Sequence, residues 1–479
     1  MVISFKHIIT NNKVLKNFSV LTISNTFTQF LLIFTSIKIA RSLDPTVFGT
    51  YNLLNLHVSI VAVIASFGLR NILIRSIARD KTIVKKVFFI AIIIRAIGLL
   101  LSIVLFCTYF LLYRHYDNLL FLLVLVSILS TVLFDLFESV AFGLEKMEFS
   151  GVINLVSTMF WLLTIMIIPE SQLSLHLIFG LFVFFSTLKT IVYFFSIYKV
   201  NYIKYFRFEH IEKYQIIQFS KECIPYYYLA LFTLLSNQIP ILFLEYRSGL
   251  AQIGFFNIAS KVLMPLNLVL GTTLAAIFPT LSRLFITNNK LFIKTVKLIF
   301  TIISLFSVAF AFVVTLFRYE VIHLLYGEKY INSSLVLGYQ GWYLAIYSVV
   351  CLIGTILGAI NKQKELSYLS IVCTIIQVPI LWYGSKYGAQ YLSAAFLVAT
   401  AITFIIHLYV INSYLKNELS FIFYFKIIIL YIIGYVVSIF IPVDLGLFYK
   451  VIIFIIISIT GSYFIFKKYK DNLKKIFIH

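Results

Sequence analysis

Four basic residues inside long apolar segments are the side chains of this sequence best placed to do chemistry: Lys38, Arg95, Lys189 and Lys261. A charge near the centre of a bilayer costs at least about 2.5–3.5 kcal/mol, so such residues face a water-filled cavity, pair with an opposite charge or extend to the interface. In a wet cavity, fixed cations could hold a phosphate or another anion.

Depth separates these candidates. Lys261 lies about ten residues inside its segment, far from either end, and we interpret it as a cavity residue. Arg95 and Lys189 lie about eight and ten residues from the predicted cytoplasmic ends of their segments, so each could line a cavity or snorkel. Lys38 and Arg41 share a face at a predicted outer end, as an interfacial anchor or as an anion contact on the exit side.

Two acidic residues are also predicted to lie within a span. Asp135 and Glu138 are three residues apart and share a helix face, so each would raise the pKa of the other. This spacing suits a proton or Na⁺ site that couples transport to an ion gradient. It suits equally a structural ion pair with Arg95 or Lys189, and Glu138 could simply reach the cytoplasm.

Uncharged polar residues inside apolar segments either join helices through hydrogen bonds or line a cavity. The cavity candidates pair in the sequence or lie near Lys261: Asn25, Gln29, Asn237, Gln238 and Asn257. Four scattered cysteines form no CxxC pair, so we predict no disulfide framework and no metal site. No cofactor is expected.

The composition identifies the elements that must position these residues. Of 479 residues, 61% are hydrophobic and 12% charged, and mean hydropathy is +1.00. A soluble protein of this length could not bury so much apolar surface. The continuous apolar runs at 87–112 and 450–466 indicate helices, since barrel strands would alternate. We expect an all-α polytopic membrane protein.

A membrane-spanning helix needs about 20 apolar residues. Fourteen segments qualify: 18–39, 47–67, 87–112, 118–141, 150–168, 173–198, 223–245, 252–279, 292–317, 335–360, 367–385, 389–412, 422–441 and 447–466.

The charge distribution predicts the orientation. The net charge is +21, which topology explains better than nucleic-acid binding. If both termini are cytoplasmic, 28 Lys and Arg residues lie on the cytoplasmic side and seven outside. This bias is the one that cytoplasmic loops show.

A weak repeat divides the chain. DPTVFGTY at 44–51 is echoed by GLAQIGFF at 249–256; in both, a glycine flanked by aromatics opens an even-numbered span. Spans 1–6 and 7–12 would then form two lobes of one orientation. We predict an N-lobe at 1–207, a C-lobe at 208–415, and spans 13 and 14 with a basic cytoplasmic tail at 416–479.

Several motifs resemble those of the bacterial polysaccharide-biosynthesis transporters, the O-antigen repeat-unit (Wzx-like) flippases of the multidrug/oligosaccharidyl-lipid/polysaccharide (MOP) exporter superfamily. The motifs that carry the resemblance are ARSLDPTVFGTY at 40–51, FGLR at 67–70, IRSIAR at 74–79, IGFFNIASK at 253–261, FPTLSR at 278–283, IHLLYGEKY at 322–330 and GAINK at 358–362. Their order and spacing cover nearly the whole chain to about residue 412.

The resemblance implies an alternating-access transporter, not an enzyme, in the bacterial cytoplasmic (inner) membrane. It would move an undecaprenyl-diphosphate-linked oligosaccharide to the outer leaflet for O-antigen (lipopolysaccharide), capsule or exopolysaccharide synthesis. The pathway's polymerase and chain-length regulator are implied partners. Related lipid flippases often have a basic residue at the position of Lys261, which makes it the leading candidate for contact with the diphosphate.

Three alternatives stay open: a cation or multidrug antiporter, a lipid II flippase and a membrane-embedded polymerase. A cation antiporter would need a cavity rich in acids. A lipid II flippase would have a more basic first span than Asn25 and Gln29 provide. A polymerase would carry a large outside loop, whereas the predicted outside loops have about 20 residues at most.

Overall fold

The fold is made of helices throughout the residues that a computed structural model describes, which are 13–113, 117–199, 212–415, 419–440 and 449–450. In these ranges the chain forms long α-helices, a few short helices and turns, and no strand. It packs as two units, Met1–Ile241 and Leu242–His479. The predicted domain boundaries at 207 and 415 stay a prediction.

The first unit contains seven complete α-helices in its described part and most of an eighth. They are α1 (Lys13–Ser42), α2 (Pro45–Ser66), α3 (Leu69–Arg79), α4 (Val84–Tyr113), α5 (Asn118–Gly143), α6 (Met147–Ile167), α7 (Leu175–Lys199) and α8 (Lys213–Arg247).

The second unit begins inside α8, and its described residues form seven further α-helices. They are α9 (Leu250–Thr287), α10 (Asn289–Leu316), α11 (Arg318–Tyr326), α12 (Ser333–Ala359), α13 (Gln363–Ser385), α14 (Ala389–Tyr414) and α15 (Phe421–Phe440).

Twelve helices of the described ranges are long and apolar enough to cross a membrane. They correspond to predicted segments 1–6 and 8–13, so the prediction of an all-α, multi-pass membrane protein is confirmed. The seventh segment lies in α8, which has 35 residues. The fourteenth, 447–466, falls almost entirely outside the described residues.

Local sequence explains where several helices begin. Pro45 occupies the first turn of α2, where no N–H is needed. Asp117 caps α5 by accepting a hydrogen bond of 2.9 Å from the N–H of Leu120. That bond, together with one from His176, holds the pKa of the Asp117 carboxyl below its ordinary value.

Two short helices occupy stretches that lie between predicted spans. The first is α3, where the sequence predicted part of a cytoplasmic loop at 70–86, and the second is α11. The α3 helix is amphipathic: Leu69, Ile72, Leu73 and Ile77 are buried. These apolar residues are too few and too spaced to register as a span, which is why a search for continuous apolar runs misses them.

Four helix contacts of the first unit have counterparts in the second. In the first, α2 contacts α4 and α5, and α7 contacts α5 and α6. In the second, α9 contacts α10 and α12, and α14 contacts α12 and α13. An internal duplication of six spans would produce these shared contacts, and the duplication itself stays a prediction.

Candidate functional site

A buried arginine on α4 is the centre of the charged groups in the first unit. The Arg95 side chain is only 3% exposed. Its Nη2 donates to Asp135 Oδ2 on α5 and its Nη1 donates to the carbonyl oxygen of Val132. A buried charge without such partners would be strongly destabilising, so this pairing explains how α4 tolerates an arginine. The Nε of Arg95 is buried and has no hydrogen-bond partner.

A second arginine reaches the same acids from the short helix α3. Arg70 Nη1 lies 2.6 Å from Asp135 Oδ1 and 2.6 Å from Glu138 Oε2. Its guanidinium also lies 5.1 Å from the centre of the Phe142 ring. Burial lowers the pKa of Arg70, but the charges of Glu138 and Asp135 outweigh it, and the net pKa is raised.

The remaining members of this group come from α6 and α7. Ser150 on α6 donates a hydrogen bond to Glu138 Oε1. Lys189 on α7 places its Nζ 4.1 Å from the centre of the Phe134 ring. Within the described ranges, no carboxylate lies within ion-pair distance of Lys189. We call Arg70, Arg95, Asp135, Glu138 and Lys189 the α5 charge cluster. Its three bases and two acids leave one excess positive charge.

The α5 charge cluster brings together four of the sequence-predicted site residues: Arg95, Asp135, Glu138 and Lys189. Asp135 pairs with Arg95, which is one of the two alternatives raised for it. Glu138 pairs with neither Arg95 nor Lys189; its ion pair is with Arg70. The role of the two acids in ion coupling stays a prediction.

Arg70 is the residue of this cluster that sequence reasoning missed. It lies between the predicted spans 47–67 and 87–112, among the basic residues expected on the cytoplasmic side. The signal that could have found it is its position in FGLR at 67–70, two residues after Gly68, whose φ is +68°. A glycine in the left-handed region marks a sharp chain reversal, which returns Arg70 towards α5.

Lys261 lies on α9 in the second unit and is half-buried. No acidic side chain of the described residues pairs with it. Neighbouring polar groups are already engaged: Asn257 Nδ2 donates to the carbonyl oxygen of Ile253 at 3.0 Å, and Ser260 Oγ donates to Gln340 Oε1 on α12 at 3.1 Å. The Lys261 ammonium is therefore the group of this stretch that is available to an anion.

The other candidates have surroundings of their own. Lys38 Nζ lies 3.3 Å from an oxygen of Glu170, a residue of the short turn after α6, and this ion pair suits an interfacial anchor. Arg41 is exposed. Asn25 is exposed, while the buried Oε1 of Gln29 has no hydrogen-bond partner. Gln238 is half-buried, and the side chain of Asn237 lies outside the described residues. Their assignment to a cavity stays a prediction.

Comparison with protein families gives one match that spans more than half of the chain. A family model described as polysaccharide biosynthesis protein matches residues 14–285. No curated protein matches the sequence.

Several solved structures resemble this chain. The lipid II flippase MurJ in an inward closed conformation superposes with a TM-score of 0.67 at 14% identity, covering 94% of this chain and 99% of that one. An inward-facing MATE family transporter of the MOP superfamily gives 0.59 at 16% identity, covering 82% and 96%. A Vibrio cholerae MATE transporter gives 0.54 at 15% identity, covering 86% and 98%. At these identities the similarity shows a shared fold.

Proposed function

The chain belongs to the polysaccharide biosynthesis protein family, and we propose that it is a flippase for an undecaprenyl-diphosphate-linked oligosaccharide. It would move this glycolipid from the inner to the outer leaflet of the cytoplasmic membrane by alternating access. The product would be O-antigen, capsule or exopolysaccharide. Both termini would lie in the cytoplasm, as the excess of Lys and Arg on that side suggests.

The balance of charge within the spans is the observation that carries this proposal. Lys189 and Lys261 have no carboxylate partner in the part of the chain that the structure describes. Asp135 and Glu138 are each paired with arginine. Glu148, whose buried Oε2 has no hydrogen-bond partner, lies only in the first turn of α6. Lys189 and Lys261, the unpaired charges that lie deeper in their helices, are therefore positive, and they suit an anionic cargo.

The chemistry of the proposed cargo explains why such cations are needed. Its polyprenyl tail can stay in lipid, but its diphosphate cannot cross hydrocarbon bare. An ammonium group can replace part of the lost hydration through charge-assisted hydrogen bonds. Lys261 would supply this contact in the second unit. Lys189, supported by Arg70 and Arg95, would supply it in the first.

The lipid II flippase is the second candidate, because the MurJ superposition covers 94% of this chain. A cation antiporter is disfavoured, since the acids of the α5 charge cluster would first have to release their arginines. An embedded polymerase is disfavoured by the same family membership. The proposal includes coupling to an H⁺ or Na⁺ gradient through Asp135 and Glu138. It also includes work beside the polymerase and the chain-length regulator of the pathway.

Reconstitution tests the substrate class. Purified protein in liposomes would receive, in parallel, a polyprenyl-diphosphate oligosaccharide, lipid II and a cationic dye. We expect protein-dependent flipping of the oligosaccharide lipid, measured by its exposure to an externally added sugar-binding lectin. Flipping of lipid II alone would favour the second candidate, and uptake of the dye alone would refute an anionic cargo.

A further inference from the structure

An open apolar groove lies between α13 and α14 in the second unit. Its volume is about 720 Å³, within the roughly 300–1,000 Å³ typical of ligand pockets. The polar side-chain atoms of its lining are tyrosine hydroxyls, and the rest of the lining is aliphatic or aromatic. The lining residues include Pro379, Tyr383, Tyr387, Tyr391, Ala395 and Val398.

Small residues create the floor of this groove. A Cβ atom placed on Gly384 would lie 2.5 Å from Ala395 Cβ and 2.9 Å from the carbonyl oxygen of Tyr391. The two helices therefore touch at Gly384, and the larger side chains stand on either side. Pro379, five residues earlier in α13, carries no N–H, so one helical hydrogen bond is missing there.

Three tyrosines line the mouth of the groove. The ring centres of Tyr383 and Tyr387 are 5.7 Å apart, and those of Tyr387 and Tyr391 are also 5.7 Å apart. All three side chains are exposed. Tyrosine is enriched where a membrane meets water, because its ring is apolar and its hydroxyl is polar. The mouth therefore suits the headgroup level of a bilayer.

The charge at the mouth is positive. Lys386, in the turn between the helices, is exposed and places its Nζ 5.6 Å from the centre of the Tyr387 ring. Within the described ranges it forms no ion pair. A nearby arginine, Arg247, lies over the Trp382 ring at 4.4 Å and donates to its carbonyl oxygen. The mouth thus complements an anionic headgroup.

The groove runs along part of one leaflet. From Tyr391 at the mouth to Val398 at the deep end, α14 advances seven residues, or about 10 Å at 1.5 Å per residue. Half of the roughly 30 Å hydrocarbon core is about 15 Å. A chain that enters at the tyrosines therefore stays within one leaflet over the length of the groove, as a phospholipid acyl chain does, whereas a much longer polyprenyl chain would leave most of its length outside.

We infer that this groove is a binding site for an anionic phospholipid, with one acyl chain between α13 and α14 and the phosphate at Lys386. The inference is independent of the proposed cargo, because it concerns a resident lipid rather than a transported one. Near an anionic surface one lysine contributes about 1 kcal/mol, which corresponds to about a fivefold preference for an anionic over a zwitterionic lipid.

Photolabelling of the full chain in liposomes tests the site. Phosphatidylglycerol or phosphatidylcholine would carry a diazirine at the end of an acyl chain, and labelled peptides would be identified by mass spectrometry. We expect peptides from residues 379–398 to be labelled about fivefold more by phosphatidylglycerol. Val398→Trp, which fills the deep end, should lower this label several-fold. Ile405→Trp, also exposed on α14 but outside the groove, should not.

Lys386→Gln provides a second arm that leaves the groove open. This surface change should remove most of the preference for phosphatidylglycerol, leaving only what Arg247 contributes, while the total label persists. The inference is overturned if the lipids label the unaltered protein equally, or if Val398→Trp changes nothing. It is also overturned if equimolar undecaprenyl phosphate displaces the label, or if this face crosslinks to a second copy of the chain instead.

Discussion

At the scale of single residues, the buried pair of Arg95 and Asp135 joins α4 to α5, and Arg70 on α3 pairs with both acids of the α5 charge cluster. Arg95, Asp135 and Glu138 could be identified from the sequence because ionisable residues stand out in apolar runs. Which acid meets which base could not be decided there, since the partners lie on different helices and their distances depend on tertiary packing. Arg70 escaped notice because its place next to α5 depends on the chain reversal at Gly68.

Breaking the buried pair tests the α5 charge cluster. Asp135→Asn would leave the Arg95 guanidinium without its anion, and removing one partner of a buried pair costs about 3–5 kcal/mol. We expect a clearly lower Tm in detergent. The matched control is Glu222→Gln, whose partner Arg75 and whose own side chain are both more than a third exposed. It should change stability by about 1 kcal/mol at most. Equal loss in both variants would contradict the account.

Lys261 carries the leading anion contact, so its charge should matter more than its shape. Lys261→Ala should abolish transport at normal membrane abundance, and Lys261→Arg should retain a measurable part of it. Lys290→Ala, an exposed lysine at the start of α10, should transport normally. The measurement is flipping in liposomes at matched protein density. Full activity of Lys261→Ala would remove this residue from the site.

At the scale of helices, the long membrane-spanning helices could be predicted from the sequence, and the short helices between them could not. An apolar run of about 20 residues in lipid has only its own backbone to bond with, so run length alone locates a helix. The α3 helix has 11 residues, and its fold depends on contacts with its neighbours. Gly68 permits one such contact: a Cβ there would lie 2.5 Å from the N of Tyr227 on α8.

Adding that Cβ should separate α3 from α8. Gly68→Ala combines left-handed strain, which costs about 1–3 kcal/mol, with overpacking of a further 1–3 kcal/mol. We expect a strongly lowered Tm and reduced membrane abundance. Gly180→Ala is the control, because a Cβ at that position in α7 meets nothing within 4 Å. Its Tm should stay unchanged or rise slightly; a similar loss in both variants would refute the packing argument.

At the scale of the whole molecule, the sequence predicted a multi-pass bundle, and the described helices confirm it. Composition and the length of the apolar runs were enough for this prediction, because both can be read along the chain without knowing which helices are neighbours. The bounds of the two units could not be read in the same way. The observed division falls inside α8, where the sequence is continuous and helical, so no linker marks it.

The predicted orientation can be tested directly. In a variant whose four cysteines are replaced by serine, Glu328→Cys and Lys364→Cys would each introduce one exposed thiol. The excess of positive charge in cytoplasmic segments predicts that an impermeant maleimide labels Glu328→Cys in intact cells and Lys364→Cys only after lysis. The reverse pattern would invert the topology and, with it, the proposed direction of transport.

The most direct test of the central claim is to delete the gene in its native host and to detect the lipid-linked oligosaccharide in each leaflet separately. If the protein is this flippase, unpolymerised repeat units accumulate on the cytoplasmic face, and the unaltered protein restores outward transport while Lys261→Ala does not. Units reaching the outer face at the normal rate, with only glycan chain length changed, would contradict this claim.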